Sequence, residues 1–270
     1  VIDNIARSAQ LLSNAQLIIN AQAGEDLQQI EIASLQLPPT QRALNIDKLQ
    51  KLPIYRQRQL LHHWLAQDEP LPPAKQLVDD VLSLSQRDDN DHQTVLFWQG
   101  RKASYTIRRY RQQLFRLSSD WLKWLELPLA EQTQTLFNFT ESNPIGADVH
   151  ATGRQPVLIN LRNDDKFAWQ LQILPNEVAP LLESYEYKVK VTFAPLDRNQ
   201  RVQTALASRP QAGKKLYQTL GIPSWLRESL VVVSVAFINE KNNENGLLDN
   251  EHPIVLPILL LSPFESWVLN

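Results

Sequence analysis

Cysteine and methionine are both missing from this sequence and glycine is scarce, with 0 Cys, 0 Met and 7 Gly in 270 residues. Without cysteine there is no disulfide, no thiolate nucleophile and no cysteine-ligated zinc or iron–sulfur site. A chain this long ordinarily carries several methionines, and glycine falls well below its average use of about 7%. Because the first residue is Val1 as well, these gaps imply a piece of a longer protein, or a sequence from which residues have dropped out. Neither sign of charge is in excess: Lys and Arg total 27, Asp and Glu 29, and the formal net charge is -2. No overall field therefore draws the chain to nucleic acid or to an acidic membrane, and any such binding rests on local clusters. No apolar run approaches the ~20 residues of a membrane-spanning helix, and Val1-Ile2-Asp3-Asn4 has no signal-peptide pattern. The composition permits a cytoplasmic location and gives no sign of a membrane partner.

The length fits one large domain or two to three small ones. Ile2, Ile5, Ala9, Leu12, Gln16 and Ile19 keep helical spacing, so residues 1 to about 22 read as a helix with one apolar stripe. Asn45 is placed to cap a short turn holding Ile46 and Leu49. Pro53 opens a helix through Gln67 in which Leu61, Trp64 and Leu65 share a face. Pro72-Pro73 opens another, with Leu77, Val81 and Leu84 in register. After a polar break from Arg87 to His92 the period changes. Thr94 to Trp98 and Ala103 to Arg109 are strand-like around a tight turn at Gly100-Arg101, and Leu114 to Leu117 completes a small meander. From Pro156 the chain is strand-rich. Val189, Val191 and Phe193 alternate with Lys188, Lys190 and Thr192, and Val231 to Ile238 and Ile254 to Ser262 have buried-strand character. The fold class is α+β: a helical module closed by a small set of strands, followed by a smaller α/β C-terminal module.

Two stretches concentrate positive charge without acids. Arg101, Lys102, Arg108, Arg109, Arg111 and Arg116 form the first, interleaved with Tyr105, Tyr110 and Phe115. Arg198, Arg201, Arg209, Lys214, Lys215 and Arg227 form the second, with Tyr217 and Trp225. Such clusters on a near-neutral chain suit a phosphate-tracking surface, or equally a solvated face paired with distant acids. In a strand Arg109 and Arg111 point to one side and Arg108 and Tyr110 to the other, so they cannot all touch one ligand. From Gly213 a short helix bears Leu216 and Leu220 on one side, stops at Gly221 and gives way near Pro223 to a second helix. Lys214 and Lys215 stand in its first turn, where cations oppose the helix dipole but where free N–H groups also favour an anion. A docked phosphate and two solvated lysines both remain open there.

Catalytic groupings are weak. Asp88-Asp89-Asn90-Asp91-His92 lacks the Gly and Glu of an EF-hand, since Gln93 and Gln99 stand at those positions, and reads as a solvated loop. His62 and His63 are adjacent on a helix and point about 100° apart, so they are no i, i+4 metal pair. Gly213-Lys214 lacks the upstream glycine and the following Ser/Thr of a phosphate-binding P-loop. Glu131, Glu141, Asp164 and Asp165 read as surface charge. No general base has a visible partner, and the expectation is no catalytic residue, no cofactor-binding residue and no metal ligand.

Several segments together resemble the middle and C-terminal domains of bacterial tRNA(Ile)-lysidine synthetases. Ile5-Ala6-Arg7-Ser8-Ala9 resembles the helix that leaves that family's N-terminal catalytic domain. Gln59-Leu60-Leu61-His62-His63-Trp64-Leu65, Leu71-Pro72-Pro73 and Thr106-Ile107-Arg108-Arg109-Tyr110-Arg111 resemble its substrate-binding middle domain. Gly213 to Arg227 resembles its C-terminal domain, where a Pro-Pro-Trp-Leu-Arg-like run appears as Ile222-Pro223-Ser224-Trp225-Leu226-Arg227. The match covers most of the chain apart from about 118–180. It departs after Glu228-Ser229-Leu230, where Val231 follows at once in place of a longer strand–turn–strand.

The resemblance implies a linker helix over 1–24, a tRNA-binding middle domain over 25–117, a connecting segment over 118–180 and a C-terminal tRNA-binding domain over 181–270. It implies a parent enzyme that uses ATP, with Mg2+, to attach L-lysine to the wobble cytidine of isoleucine tRNA with a CAU anticodon. The ATP is held by an SGGxDS loop that this sequence lacks. The chain itself is then expected to bind no cofactor and to be non-catalytic. Arg108, Arg109 and Arg111 in the middle module and Arg209, Lys214, Lys215 and Arg227 in the C-terminal one are the implied tRNA contacts. A stand-alone RNA- or protein-binding module and an adaptor for acidic protein surfaces are the alternatives, and a homodimer is left open.

Overall fold

A computed structural model describes residues 2–32, 40–87, 94–129, 131–137, 157–173, 187–239, 255–263 and 265–269. The chain divides into two units, Val1–Lys123 and Trp124–Asn270.

In the first unit the helices stand where apolar spacing and caps place them. α1 (Ile2–Ile30) runs past the expected end, because Ala23, Leu27 and Ile30 recur on one face and are buried. Arg56 pairs with Asp26 and ties this end of α1 to α3. The earlier stripe stays in solvent, with Leu12 73% exposed. β1 (Arg42–Asn45) leads directly into α2 (Ile46–Gln50), and Asn45 Oδ1 accepts the Lys48 N–H at 2.9 Å, as a capping side chain should. α3 (Ile54–Ala66) starts straight after Pro53 and buries Leu60, Leu61, Trp64 and Leu65. α4 (Lys75–Ser85) follows the double proline and buries Val81 and Leu84.

β2 (Val95–Gln99), β3 (Ser104–Tyr110) and β4 (Gln113–Ser118) form the expected meander. β1, which had no signal of its own, adds beyond β4, so the antiparallel sheet runs β1-β4-β3-β2 and β2 is an open edge. Leu44, Ile107 and Leu114 from this sheet join the helices' apolar faces in one core around Trp64.

α5 (Ser119–Leu125) spans the division between the units. The second unit is built on an antiparallel sheet ordered β11-β10-β9-β8-β5: β5 (Gln132–Phe137), β8 (Tyr187–Pro195), β9 (Val231–Asn239), β10 (Val255–Leu261) and β11 (Ser266–Val268). β6 (Val157–Asn163) and β7 (Ala168–Ile173) pair as a separate hairpin. Residues 118–180, read above as a connecting segment, therefore contribute α5 and three strands, and β5 is an edge of the main sheet. In β8, Val191 and Phe193 are buried and Lys190 is exposed, the alternation read from the sequence. Pro257 has no N–H to donate, and the β10–β9 register shifts between Pro257 and Leu259.

α6 (Gly213–Leu220) buries Leu216, Tyr217 and Leu220, and it stops at Gly221, whose φ of 74° suits a residue without Cβ. The second helix expected near Pro223 is instead a 3-10 turn, Ser224–Ser229. The Leu226 N–H reaches the Pro223 carbonyl at 3.1 Å, the tighter i to i+3 closure. The α+β class expected from the sequence is what the structure has.

Candidate nucleic-acid interface

In the first unit the β2–β3 turn is held by one carboxylate. Glu69, three residues beyond α3, accepts the N–H of Arg101 at 2.8 Å, of Lys102 at 2.9 Å and of Ala103 at 3.1 Å, and the Tyr105 hydroxyl at 3.0 Å. Burial alone would push this carboxyl up, but those four donors together hold it below the ordinary carboxylate range. The same contact works the other way on Tyr105: burial, then the bond to Glu69, pushes its hydroxyl up to about 12. The clasp also explains Gly100, where a Cβ would come within 2.6 Å of the Glu69 carboxyl and 2.9 Å of the Ala103 carbonyl. With the backbone fixed, Arg101 and Lys102 extend exposed side chains from a rigid turn.

The remaining arginines of this stretch divide. Arg116 is 0% exposed. Its guanidinium donates to the carbonyls of Trp64, Leu65 and Gln67 at 3.3, 2.7 and 2.7 Å, so it caps the end of α3. It pairs with Asp68 at 2.7 Å and lies 4.7 Å from the Tyr105 ring centroid. Arg109, an expected tRNA contact, is also buried. It donates to the carbonyls of Arg111 at 3.2 Å, of Leu84 at 3.5 Å and of Arg87. Unpaired carbonyls at a helix end hold such a side chain inward, so Arg109 is withdrawn from the contact set and given a structural role. Arg108 is half-buried on β3. Arg111 does not sit in a strand, because β3 ends at Tyr110. It occupies the β3–β4 turn with φ 52°, exposed, its Cζ 5.7 Å from the Tyr110 ring centroid. Arg111 and the Arg101–Lys102 pair thus stand at opposite ends of β3.

In the second unit Lys214 and Lys215 are exposed in the first turn of α6, which has no acidic residue and no side-chain cap. Gly213 opens this helix at φ 51°, close to the Arg198 carbonyl, which would lie 3.3 Å from an added Cβ. Tyr217, one turn along, carries Arg227 over its ring at 5.0 Å. Burial pushes the Tyr217 hydroxyl up, Glu228 adds to this, and Arg227 and Arg198 oppose it. Arg227 is half-buried and its Nε has no hydrogen-bond partner. Arg209 is exposed on the bend before Gln211, which bridges back to Val202. Arg227 and Arg198 thus act on Tyr217 together with Glu228 and Asp197, while Lys214, Lys215 and Arg209 stand exposed on the same unit.

The weaker candidates resolve differently. His63 is hydrogen-bonded to Gln67 at 2.9 Å, and burial, then His62 and Arg42, pull its imidazole below the ordinary histidine value. The Asp88–His92 run and Glu141 lie outside the described residues. Glu131, Asp164 and Asp165 are exposed, and Asp164 accepts the N–H groups of Lys166 and Phe167 in the β6–β7 turn. Among the described residues no three His, Asp or Glu side chains gather closely enough to hold a metal ion, and no helix is long and apolar enough to cross a membrane. Two features gave no sign in the sequence: the Glu69 clasp, and a third buried arginine. Arg162 donates to the Trp124 and Leu125 carbonyls at 3.0 and 2.6 Å, and burial pulls it down to about 10.

This arrangement, a helical and β-meander unit with cations presented on pinned turns, coincides with a known domain. Residues 44–115 match the family model described as TilS substrate binding domain. Over 98% of its length the chain is 34% identical to tRNA(Ile)-lysidine synthase of Psychrobacter sp. (strain PRwf-1), and it spans 50% of that relative's length. The resemblance read from the sequence is thereby shown: a substrate-binding domain of this family in the first unit, and likeness to a lysidine synthase along nearly the whole chain.

Proposed function

We propose that this chain is the tRNA-gripping part of a ligase that attaches lysine to the wobble cytidine of CAU-anticodon isoleucine tRNA, forming lysidine. The 34% identity to a tRNA(Ile)-lysidine synthase over 98% of the chain carries this reading. The physical case is that a tRNA is far larger than the base that reacts, so binding energy gathered at a distance orients that base. RNA stems are held mostly through shape and phosphate contacts, and exposed Arg111, Lys214, Lys215 and Arg209, with half-buried Arg108 and Arg227, are suited to that task. A stacked arginine such as Arg227 keeps its fork aimed and loses less freedom on binding.

In this reading ATP and Mg2+ belong to a separate domain bearing an SGGxDS loop, as does the site for L-lysine. The residues here do not fit a nucleotide loop: Ser208 stands where the first glycine would be, and Lys215 follows Gly213-Lys214 where a hydroxyl would be needed. No step of the ligation is therefore assigned to this chain.

The test is filter binding of the 270-residue chain to CAU-anticodon isoleucine tRNA, with an unrelated structured RNA as competitor. Preferential binding to the isoleucine tRNA, falling with salt, is the expected result. Equal affinity for both RNAs would favour a general RNA- or protein-binding module instead.

A further inference from the structure

A groove of about 450 Å³ opens on the first unit between the approach to α4 and the edge strand β2. Leu71, Pro72 and Leu77 line it from the helical side, Phe97 and Trp98 from the strand, and Arg101 at the turn. Leu96 and Trp98 pack toward the core, and strand alternation puts Phe97 between them on the other face. Phe97 is 77% exposed and Leu71 56% exposed. Phe97 and Leu71 line the same groove beside an edge strand, and a contiguous apolar opening of this kind suits a bound partner better than a lone exposed side chain does. Trp98 behind it is fixed by stacking on Tyr105, with ring centroids 5.2 Å apart and planes 24° from parallel. No residue lining the groove is acidic. The ionised Glu69 carboxylate sits behind the turn, bound by four neutral donors, while Arg101 lines the groove and exposed Lys102 follows it, so the turn carries a net charge of about +1.

We propose that this groove takes one unpaired RNA nucleotide, its base against Phe97 and its phosphate on Arg101 and Lys102. The inference rests on the reading that the chain binds tRNA, and it adds where an unstacked base would be held. The match is one of charge and shape. A nucleotide joins a flat apolar face to an anion a few ångströms away, and the groove joins an exposed ring to two cations on a turn that cannot swing away. A base inside a stem has no free face to offer, so the site selects single-stranded positions. The volume is that of a small-ligand pocket. Stacking on an aromatic ring is tolerant of base identity, so affinity at this position should vary little among the four bases.

The test uses the whole chain with an eight-nucleotide single-stranded RNA carrying 2-aminopurine at one position, and a duplex RNA of equal length. Binding should quench the 2-aminopurine. Phe97→Ala should remove that quench and weaken single-strand binding roughly tenfold, leave duplex binding unchanged, and be rescued by Phe97→Trp. Quench and affinity unaffected by Phe97→Ala overturn the proposal. So does a Phe97-dependent affinity for an acidic aromatic peptide without any for RNA, which would make the occupant a protein segment. If the proposal fails while Lys214→Ala with Lys215→Ala still weakens tRNA binding, the tRNA-gripping reading stands. If wild type binds neither RNA nor tRNA, both fall.

Discussion

The guanidinium of Arg227 stands over the ring of Tyr217, its Cζ 5.0 Å from the centroid, and so joins the 3-10 turn to α6. The stack aims a fork of donors from beside a helix end whose first turn is basic. A lysine at this position keeps the charge but has neither the flat face nor the fork. Arg227→Lys is expected to weaken tRNA binding about three- to tenfold, because a lysine offers one point charge in place of an aimed fork. It should also cost about 0.5–1 kcal/mol of stability, because the contact on the Tyr217 ring is lost. Filter-binding constants for the two proteins decide it, and equal values would mean that charge alone suffices at 227.

Lys214 and Lys215 should separate stability from binding. Each opposes the dipole of α6 at about 0.3–1 kcal/mol, and alanine is the better helix former. The double substitution Lys214→Ala with Lys215→Ala is thus expected to leave the fold equally or slightly more stable to urea. It should also weaken tRNA binding and flatten the plot of log K against log salt by about one to two units. A preserved slope with an intact fold would remove both lysines from the contact set.

Arg109 and Arg111, two residues apart, are expected to behave oppositely. Arg109→Ala leaves the carbonyls of Leu84, Arg87 and Arg111 without this donor and should destabilise the first unit by about 2–4 kcal/mol. Arg111 sits at φ 52°, a conformation that glycine adopts without strain. Arg111→Gly should therefore be neutral or stabilising by up to about 1 kcal/mol, while tRNA affinity falls. Urea midpoints and binding constants on the same two variants check both halves of the prediction.

That pair also marks how far the sequence reaches. Leu61, Trp64 and Leu65, and Leu77, Val81 and Leu84, repeat at helical spacing, so α3 and α4 were legible from apolar contacts alone. Asn45 and Gly221 mark helix ends through local chemistry, and the structure puts both to that use. What failed was anything decided by residues far apart. β1 is four residues long, too short to show alternation, and exists because β4 pairs with it. β5 belongs to a sheet only through β8, a partner more than fifty residues on. The run from Arg101 to Arg116 reads as a basic cluster that cannot all touch one ligand, but nothing in it marks Arg116, which turns inward to carbonyls 49–52 residues earlier. A charge count cannot tell an arginine that caps a helix from one that faces solvent. Phe97 reads as an ordinary strand residue, and only the topology puts its ring on an open edge.

The clasp between Glu69 and the β2–β3 turn makes the first unit sensitive to acid, and the sign can be worked out. Glu69 is held below its ordinary value of 4.5 by the four donors, against burial. Asp68 is held below 3.8 by Arg42 and Arg116, again against burial. A carboxyl whose folded value is depressed contributes stability that is complete above its unfolded value and is lost as pH falls through the folded one. His63 acts in the same direction: burial, His62 and Arg42 keep it below 6.5, so the unfolded chain takes up its proton first. Stability of the first unit is therefore expected to be level above about pH 7, to decline gently below 6.5 as His63 is called on, and to fall more steeply below 4.5. Glu69→Gln should lower stability at pH 7 by about 1–3 kcal/mol and make the steep limb shallower. Amide-exchange protection of Arg101, Lys102 and Ala103, corrected for the intrinsic rate, reports this locally. If Glu69→Gln leaves the acid limb as steep as before, the carboxylate is not what fastens the turn.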